Sequence, residues 1–329
     1  MSAEPQASPG SSAPRPPDFF IVGHAKSGTT ALYEMLRGHP QIYMPELKEP
    51  WFFASDMRPR FQPHLGGMPP ATLQEYLALF GEAGPGQRIG EASSSYLWSR
   101  TAAAAIADVQ PRARIIAILR EPASFLRSLH LQLLQTHVED RKDLATALDL
   151  EQARAEGRQI PRRSHRPQLL QYSDHVRYVE QLRRYKDLFP PEQVLVLIYD
   201  DFRSDNEGTV RRVMEFLDVD AQQPLKVLDA NPSILMRSQR LDGLVHSVSV
   251  GRGGAASRAA RATVKAVLPR RLRRDALQIT RQRVVHGRPP PTDEAFMHEL
   301  RRRFKPEVIA ASEYLDRDLV ALWGYDELD

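Results

Sequence analysis

Lys26 sits in a loop bounded by Gly23 and Gly28 and followed by Thr29 and Thr30. Glycines let a backbone approach a ligand closely, and the first N–H groups of a following helix lack intrahelical partners, so this stretch is suited to a phosphate or sulfate. The spacing Gly23-x-x-x-x-Gly28-Thr29-Thr30 nearly matches the nucleotide pattern G-x-x-x-x-G-K-[ST], but Thr29 stands where the lysine belongs and the lysine is displaced to Lys26. In that pattern the lysine serves the β/γ-phosphates and the neighbouring hydroxyl binds magnesium; the displacement points to a different phosphoanhydride. An ordinary strand-to-helix turn could carry the same glycines.

A second cluster is Leu47-Lys48-Glu49-Pro50-Trp51-Phe52-Phe53. It sets a carboxylate on a stiff backbone beside an aromatic wall, where burial is expected to raise the pKa of Glu49 and suit it to proton abstraction. A surface ion beside an aromatic plug is the alternative. The third cluster is Arg120-Glu121-Pro122 with Ser128 beyond it. Arg120 offers a planar fork for a phosphate and Ser128 a hydroxyl donor, at the strand end where ligands bind in open α/β sheets.

These residues need elements to hold them. The apolar run Phe19 to Val22 predicts a strand, and Leu32, Met35 and Leu36 predict a helix ended by Gly38-His39-Pro40. Further along, helices are expected over 72–80 and 101–109 and strands over 88–90, 113–119 and 193–198, with a helix carrying Ser124, Arg127 and Ser128. Residues 140–157 read as a solvent-facing helix, 158–167 as a basic loop, 172–189 as an amphipathic helix, and 292–323 as a long packing helix. Strands apolar on both faces, alternating with helices, imply an α/β chain with a central, mainly parallel sheet flanked by helices, in a three-layer P-loop-type fold. Asp200 and Asp201, after the strand 193–198, read either as magnesium ligands or as a helix cap.

Taken together, Lys26-Ser27-Gly28-Thr29-Thr30 resembles the 5′-phosphosulfate loop of sulfotransferases that use 3′-phosphoadenosine 5′-phosphosulfate (PAPS). Lys48-Glu49-Pro50-Trp51-Phe52-Phe53 is similar to the carbohydrate, heparan-sulfate type, in which this glutamate is the general base. Arg120-Glu121-Pro122…Ser128 resembles the family's 3′-phosphate motif, and the Trp323-Gly324-Tyr325 ending looks like that of bacterial members. The resemblance implies PAPS as co-substrate, leaving adenosine 3′,5′-bisphosphate, with no metal. It implies Lys26 and Glu49 as catalytic residues, and Lys26, Ser27, Gly28, Thr29, Thr30, Arg120 and Ser128 as the donor site. His24, Lys48, Ser93 and Tyr96 are candidates to meet a hydroxyl or amine acceptor that is sugar-containing. A late loop carrying Arg237, Ser238 and Arg240 would close over the nucleotide. The chain departs from the pattern at Ala92, where the family has lysine, and at Trp51, often histidine.

At 329 residues with 42% hydrophobic content the chain can bury a sizeable core, and the absence of cysteine excludes disulfides and thiolate chemistry. The Pro- and Ser-rich stretch 1–17 is expected to be a disordered leader, and 18–329 a single domain with a basic, mainly helical region from about 231. Segment 252–288 concentrates arginines although the net charge is only +4. It could be a solvated face, or contact an anionic membrane surface, and nucleic acid is not the expected partner. No run reaches the roughly 18 apolar residues that span a bilayer, so a cytoplasmic location is expected. An ATP-dependent kinase and a non-catalytic anion- or nucleic-acid-binding protein are the competing readings; acceptor identity and oligomeric state stay open.

Overall fold

The computed structural model describes residues 14–57, 69–162, 164, 166–224, 235–236, 286–287 and 293–328. They group into two compact units. The first holds 14–57, 69–120 and 180–224; the second holds the rest.

The first unit is built on a parallel sheet of β1 (Phe19–Gly23), β2 (Ile42–Tyr43), β3 (Arg88–Ala92), β4 (Arg114–Leu119) and β5 (Val194–Ile198), in the order β2-β3-β1-β4-β5. β1 is central and wholly buried, which is why it reads as an unbroken apolar run rather than an alternating one. On one face Phe19, Ile21, Ile116 and Ile118 pack with Leu32 and Leu36 of α1 (Thr29–Arg37) and with Val210, Val213 and Met214 of the helix Asn206–Phe216. Each such side chain contributes about 1.5–3 kcal/mol by leaving water. On the other face Phe20 meets Phe53, which packs edge-on to Tyr96 and to Tyr76 of α2 (Leu73–Ala78). Strand–loop–helix units around a parallel sheet with helices on both faces give the expected three-layer, P-loop-type arrangement.

Element ends differ from expectation in informative ways. β3 runs on to Ala92, so Glu91 lies within the strand rather than in the following turn. Helix α1 stops at Gly38, which keeps right-handed geometry; Pro40 prevents continuation, and His39 bonds through Nε2 to the Asp220 carbonyl at 2.9 Å. The helix α3 (Ala102–Val109) lies where the alanine run predicts it.

In the second unit, α4 (Pro122–Gln135) begins with proline at its first position, and the Glu121 carboxylate caps the N–H groups of Ala123 and Ser124 at 2.8 and 2.7 Å. The expected solvent-facing helix over 140–157 is instead two short helices, α5 (Leu144–Asp149) and α6 (Glu151–Ala155). The correction has a physical cause. Arg154 turns inward to a bidentate, fully buried pair with Glu139 at 2.7 and 2.8 Å, and Tyr172 donates to the same carboxylate at 3.0 Å. Burial pushes the Glu139 carboxyl up, but Arg154 and the N–H groups of Asp140 and Arg141 hold it below the ordinary value. The amphipathic stretch is α7 (Tyr178–Lys186), which belongs to the first unit from Glu180 onward and is preceded by a single 3-10 turn. α8 (Tyr199–Ser204) and α9 (Asn206–Phe216) follow β5 in the first unit. The C-terminal packing helix is α10 (Glu294–Leu315), broken at Asp316, whose φ is 49°, before α11 (Leu319–Leu322). Among the described residues no helix is long and apolar enough to cross a membrane. Arg237, Ser238, Arg240 and most of the basic segment 252–288 lie outside the described residues.

Candidate functional site

The loop between β1 and α1 owes its path to its glycines. Gly23 must be bare because a Cβ there would stand 2.7 Å from the Ser94 carbonyl oxygen and 2.8 Å from Leu97 Cβ. Gly28, at φ 85°, caps α1 in left-handed geometry, and a Cβ would lie 2.8 Å from the Phe202 ring. Gly28 gives α1 no capping side chain, and the first N–H groups of a helix have no intrahelical partners, a setting suited to an anion. Ser27 and Thr29 are buried, and Thr30 is exposed at the helix start. His24 is buried and bonds through Nε2 to Gln181 Oε1 of α7 at 2.6 Å; burial, against that bond, brings its pKa down to about 4, so the ring is neutral near pH 7.

Lys26 itself is held at φ 63°, a strained conformation for a lysine, and its carbonyl accepts a 2.8 Å bond from Arg120 Nη1. The Arg120 guanidinium also lies over the Tyr199 ring, 4.8 Å from its centroid. Strand β4 therefore delivers Arg120 directly against the loop. Burial, and then the charge of Arg120, lower the Lys26 pKa. The two cations oppose each other's charge at this loop.

Glu49 is set by an alternating series of hydrogen bonds. Glu49 N–H donates to the Ala92 carbonyl at 3.0 Å, Trp51 N–H to Ser93 Oγ at 3.3 Å, and Phe53 N–H to the Tyr96 hydroxyl at 3.3 Å. These bonds fix the loop to the end of β3 and sustain positive φ at Glu49 (60°) and Trp51 (51°), on either side of Pro50. From the other side Tyr33 of α1 donates to the Pro45 carbonyl. The carboxylate accepts from Ser94 Oγ at 2.7 Å and Lys48 Nζ at 3.0 Å on one oxygen, and from Trp51 Nε1 at 3.0 Å on the other.

Here the sequence expectation needs correction. Burial does push the Glu49 pKa up, but the Lys48 charge and the bonds from Ser94, Lys48 and Trp51 outweigh it, and the carboxyl sits below its ordinary value. Glu49 is thus held as an ionised carboxylate rather than a neutral acid. Ser93 and Tyr96 are fully buried and serve the loop backbone; Ser94 is the serine that reaches the carboxylate. Sequence reasoning also passed over Tyr199 and Phe202, whose spacing after β5 places them under Arg120 and Gly28. Asp200 and Asp201 occupy the first turn of α8, where carboxylates suit the helix dipole.

Ser128 lies on α4 and is buried in the second unit. In the first unit β1, β2 and β3 run parallel, so the Lys26 loop after β1, the Glu49 loop after β2 and the turn after β3 share one end of the sheet; Gly23 lies against Ser94 of that turn, and Ser94 Oγ donates to the Glu49 carboxylate. That end carries the uncapped start of α1, the cations Lys26 and Arg120, and a fixed, ionised carboxylate at Glu49.

The model of a family described as the sulfotransferase family matches residues 17–88 and 69–223. Carbohydrate sulfotransferase 15 of Homo sapiens is 27% identical over 248 residues, covering 62% of this chain and 44% of that protein. Heparan sulfate glucosamine 3-O-sulfotransferase 3B1 of Mus musculus is 28% identical over 201 residues, covering 61% and 46%. The chain spans less than half the length of these curated relatives. The crystal structure of a sulfotransferase from Alicyclobacillus acidocaldarius superposes with a TM-score of 0.57 at 28% identity, covering 78% of this chain and 99% of that one.

Proposed function

The chain belongs to the sulfotransferase family, and on that premise we propose that it moves a sulfuryl group from PAPS to a hydroxyl or amine of a sugar-containing acceptor. The observation that carries this reading is the junction at Gly23 and Ser94, which sets the cationic Lys26 loop beside the Glu49 carboxylate at one end of the sheet. The donor's chemistry fits the residues present: a phosphosulfate is an anion, and the open N-terminus of α1, Lys26 and Arg120 are its complement.

Each residue then has a task. The N–H groups at the start of α1, with Ser27, Thr29 and Thr30 around them, hold the phosphosulfate. Lys26 balances the charge that grows on the bridging oxygen as the S–O bond breaks; its lowered pKa returns upward once an anion sits beside it. Glu49 takes the acceptor proton, and since its oxygens are occupied by Lys48, Ser94 and Trp51, the acceptor must displace or share one of these donors. Arg120 holds the 3′-phosphate. Ser128 is assigned to the same phosphate by the Arg-x-Pro…Ser pattern.

A sugar-containing acceptor is supported by the carbohydrate relatives and by the resemblance of Lys48-Glu49-Pro50 to the carbohydrate type of the family. Ala92 removes a cation from the acceptor side, which favours an acceptor of lower negative charge. The test is transfer of labelled sulfate from PAPS to a panel of neutral sugars, sulfated glycans, glycolipids and phenols. Product on a sugar-bearing member is expected; product on phenols alone overturns the acceptor class, and no product on any member contradicts the proposal.

A further inference from the structure

Glu91 stands behind the Glu49 loop, on the strand to which that loop is fixed. It is fully buried; its Oε2 accepts from the Tyr76 hydroxyl at 3.1 Å, and its Oε1 is buried with no hydrogen-bond partner. A buried carboxylate with one oxygen left unserved is costly, whereas a carboxylic acid in the same place is tolerated. The chain nevertheless keeps this carboxyl one residue from Ala92, whose carbonyl holds Glu49, and three from Ser94, which donates to it.

We infer that Glu91 is a positioning residue for the transfer reaction, a second carboxyl whose charge state sets how strongly Glu49 holds a proton. The groups facing it are Tyr76 from α2, Ser93 and Tyr96 from the turn after β3, Tyr185 from α7, and Glu49 with its partner Lys48 from the preceding loop. Burial pushes Glu91 up to about 7; the hydroxyls of Ser93, Tyr96 and Tyr76 oppose that rise, and the Glu49 charge adds to it. Coupling of this kind is reciprocal: if ionised Glu49 makes Glu91 hold its proton, ionised Glu91 makes Glu49 hold one by the same amount. Below Glu91's titration Glu49 is a weak base, clamped by its donors; above it the added charge strengthens Glu49 when the acceptor proton must be taken. The functional meaning rests on Glu49 being the base.

The coupling can be read without turnover. In full-length protein carrying 13C-carboxyl glutamate, NMR across pH 5 to 9 is expected to show a carboxyl that titrates near 7 and disappears in Glu91→Gln. In Glu49→Gln its midpoint should fall, because a neighbouring negative charge has been removed. In Tyr76→Phe it should rise, since a donor to the anion is lost; this variant serves if Glu91→Gln does not fold. A midpoint unmoved in Glu49→Gln, or no glutamate titrating between about pH 6 and 8, overturns the inference. Failure of sulfuryl transfer would sink the proposed function alone, since this readout does not depend on it.

Discussion

At the scale of single residues the protein sets two carboxyls of opposite character about the end of β3, Glu91 on the strand and Glu49 on the loop whose N–H bonds the Ala92 carbonyl. Glu49 is held ionised by Lys48, Ser94 and Trp51, and burial pushes Glu91 up to about 7. Removing one donor should move Glu49 in a known direction: Ser94→Ala takes away a bond that favours the anion, so the acid limb of the pH–rate profile should shift upward, and an unmoved limb would refute the assignment. Glu91 makes a stability prediction with a definite sign. Its folded pKa of about 7 lies above the ordinary 4.5, so between those values the unfolded chain has released a proton that the folded chain keeps. Stability must therefore fall as pH rises through that window, by about 3 kcal/mol in all, and level off above it. Urea unfolding of wild type and Glu91→Gln at several pH values should show the difference growing from pH 4.5 to 7; parallel curves would contradict it. Glu49 was legible in the sequence as a chemical group, but the direction of its shift was not, because Ser94 comes from a distant strand end.

At the scale of elements, the site depends on how loops are fixed to strand ends. The β1–loop–α1 unit was legible because a buried central strand is an unbroken apolar run and Gly23 and Gly28 have no substitute at their positions. Gly28→Ala forces a Cβ onto φ 85° and into Phe202, and should cost about 1–3 kcal/mol of stability along with weakened adenosine 3′,5′-bisphosphate binding. Thermal melts and calorimetry would report both; an unchanged variant would mean the loop is not held as described. Arg120 was legible from its place before Pro122, yet its bond to the Lys26 carbonyl and its seat on Tyr199 were not, since those partners are brought in by sheet order alone. The extension of β3 to Ala92 was likewise hidden, because Glu91 is a charged residue in a buried strand.

At the scale of the whole molecule, the parallel sheet and its helices followed from the strand and helix patterns, while the second unit was read less well. Its 140–157 stretch looked solvent-facing because Arg154 and Glu139 are charged; they are buried because they satisfy each other, with Tyr172 adding a donor. Removing one partner strands the other, so Arg154→Ala should cost about 3–5 kcal/mol in urea unfolding, and a loss below about 1 kcal/mol would show the pair to be dispensable. The C-terminal segment is tied to the start of α4 by Tyr325, whose hydroxyl donates to Glu121 at 2.5 Å, a contact between residues no local pattern could link. The measurement that reaches the central claim most directly pairs labelled-sulfate transfer from PAPS with calorimetric binding of adenosine 3′,5′-bisphosphate, for wild type and Glu49→Gln. The account predicts transfer by the wild type, a loss of about 10²–10⁴ in turnover for Glu49→Gln, and nucleotide affinity unchanged in the variant. Full turnover in Glu49→Gln, or no nucleotide binding by the wild type, would contradict it.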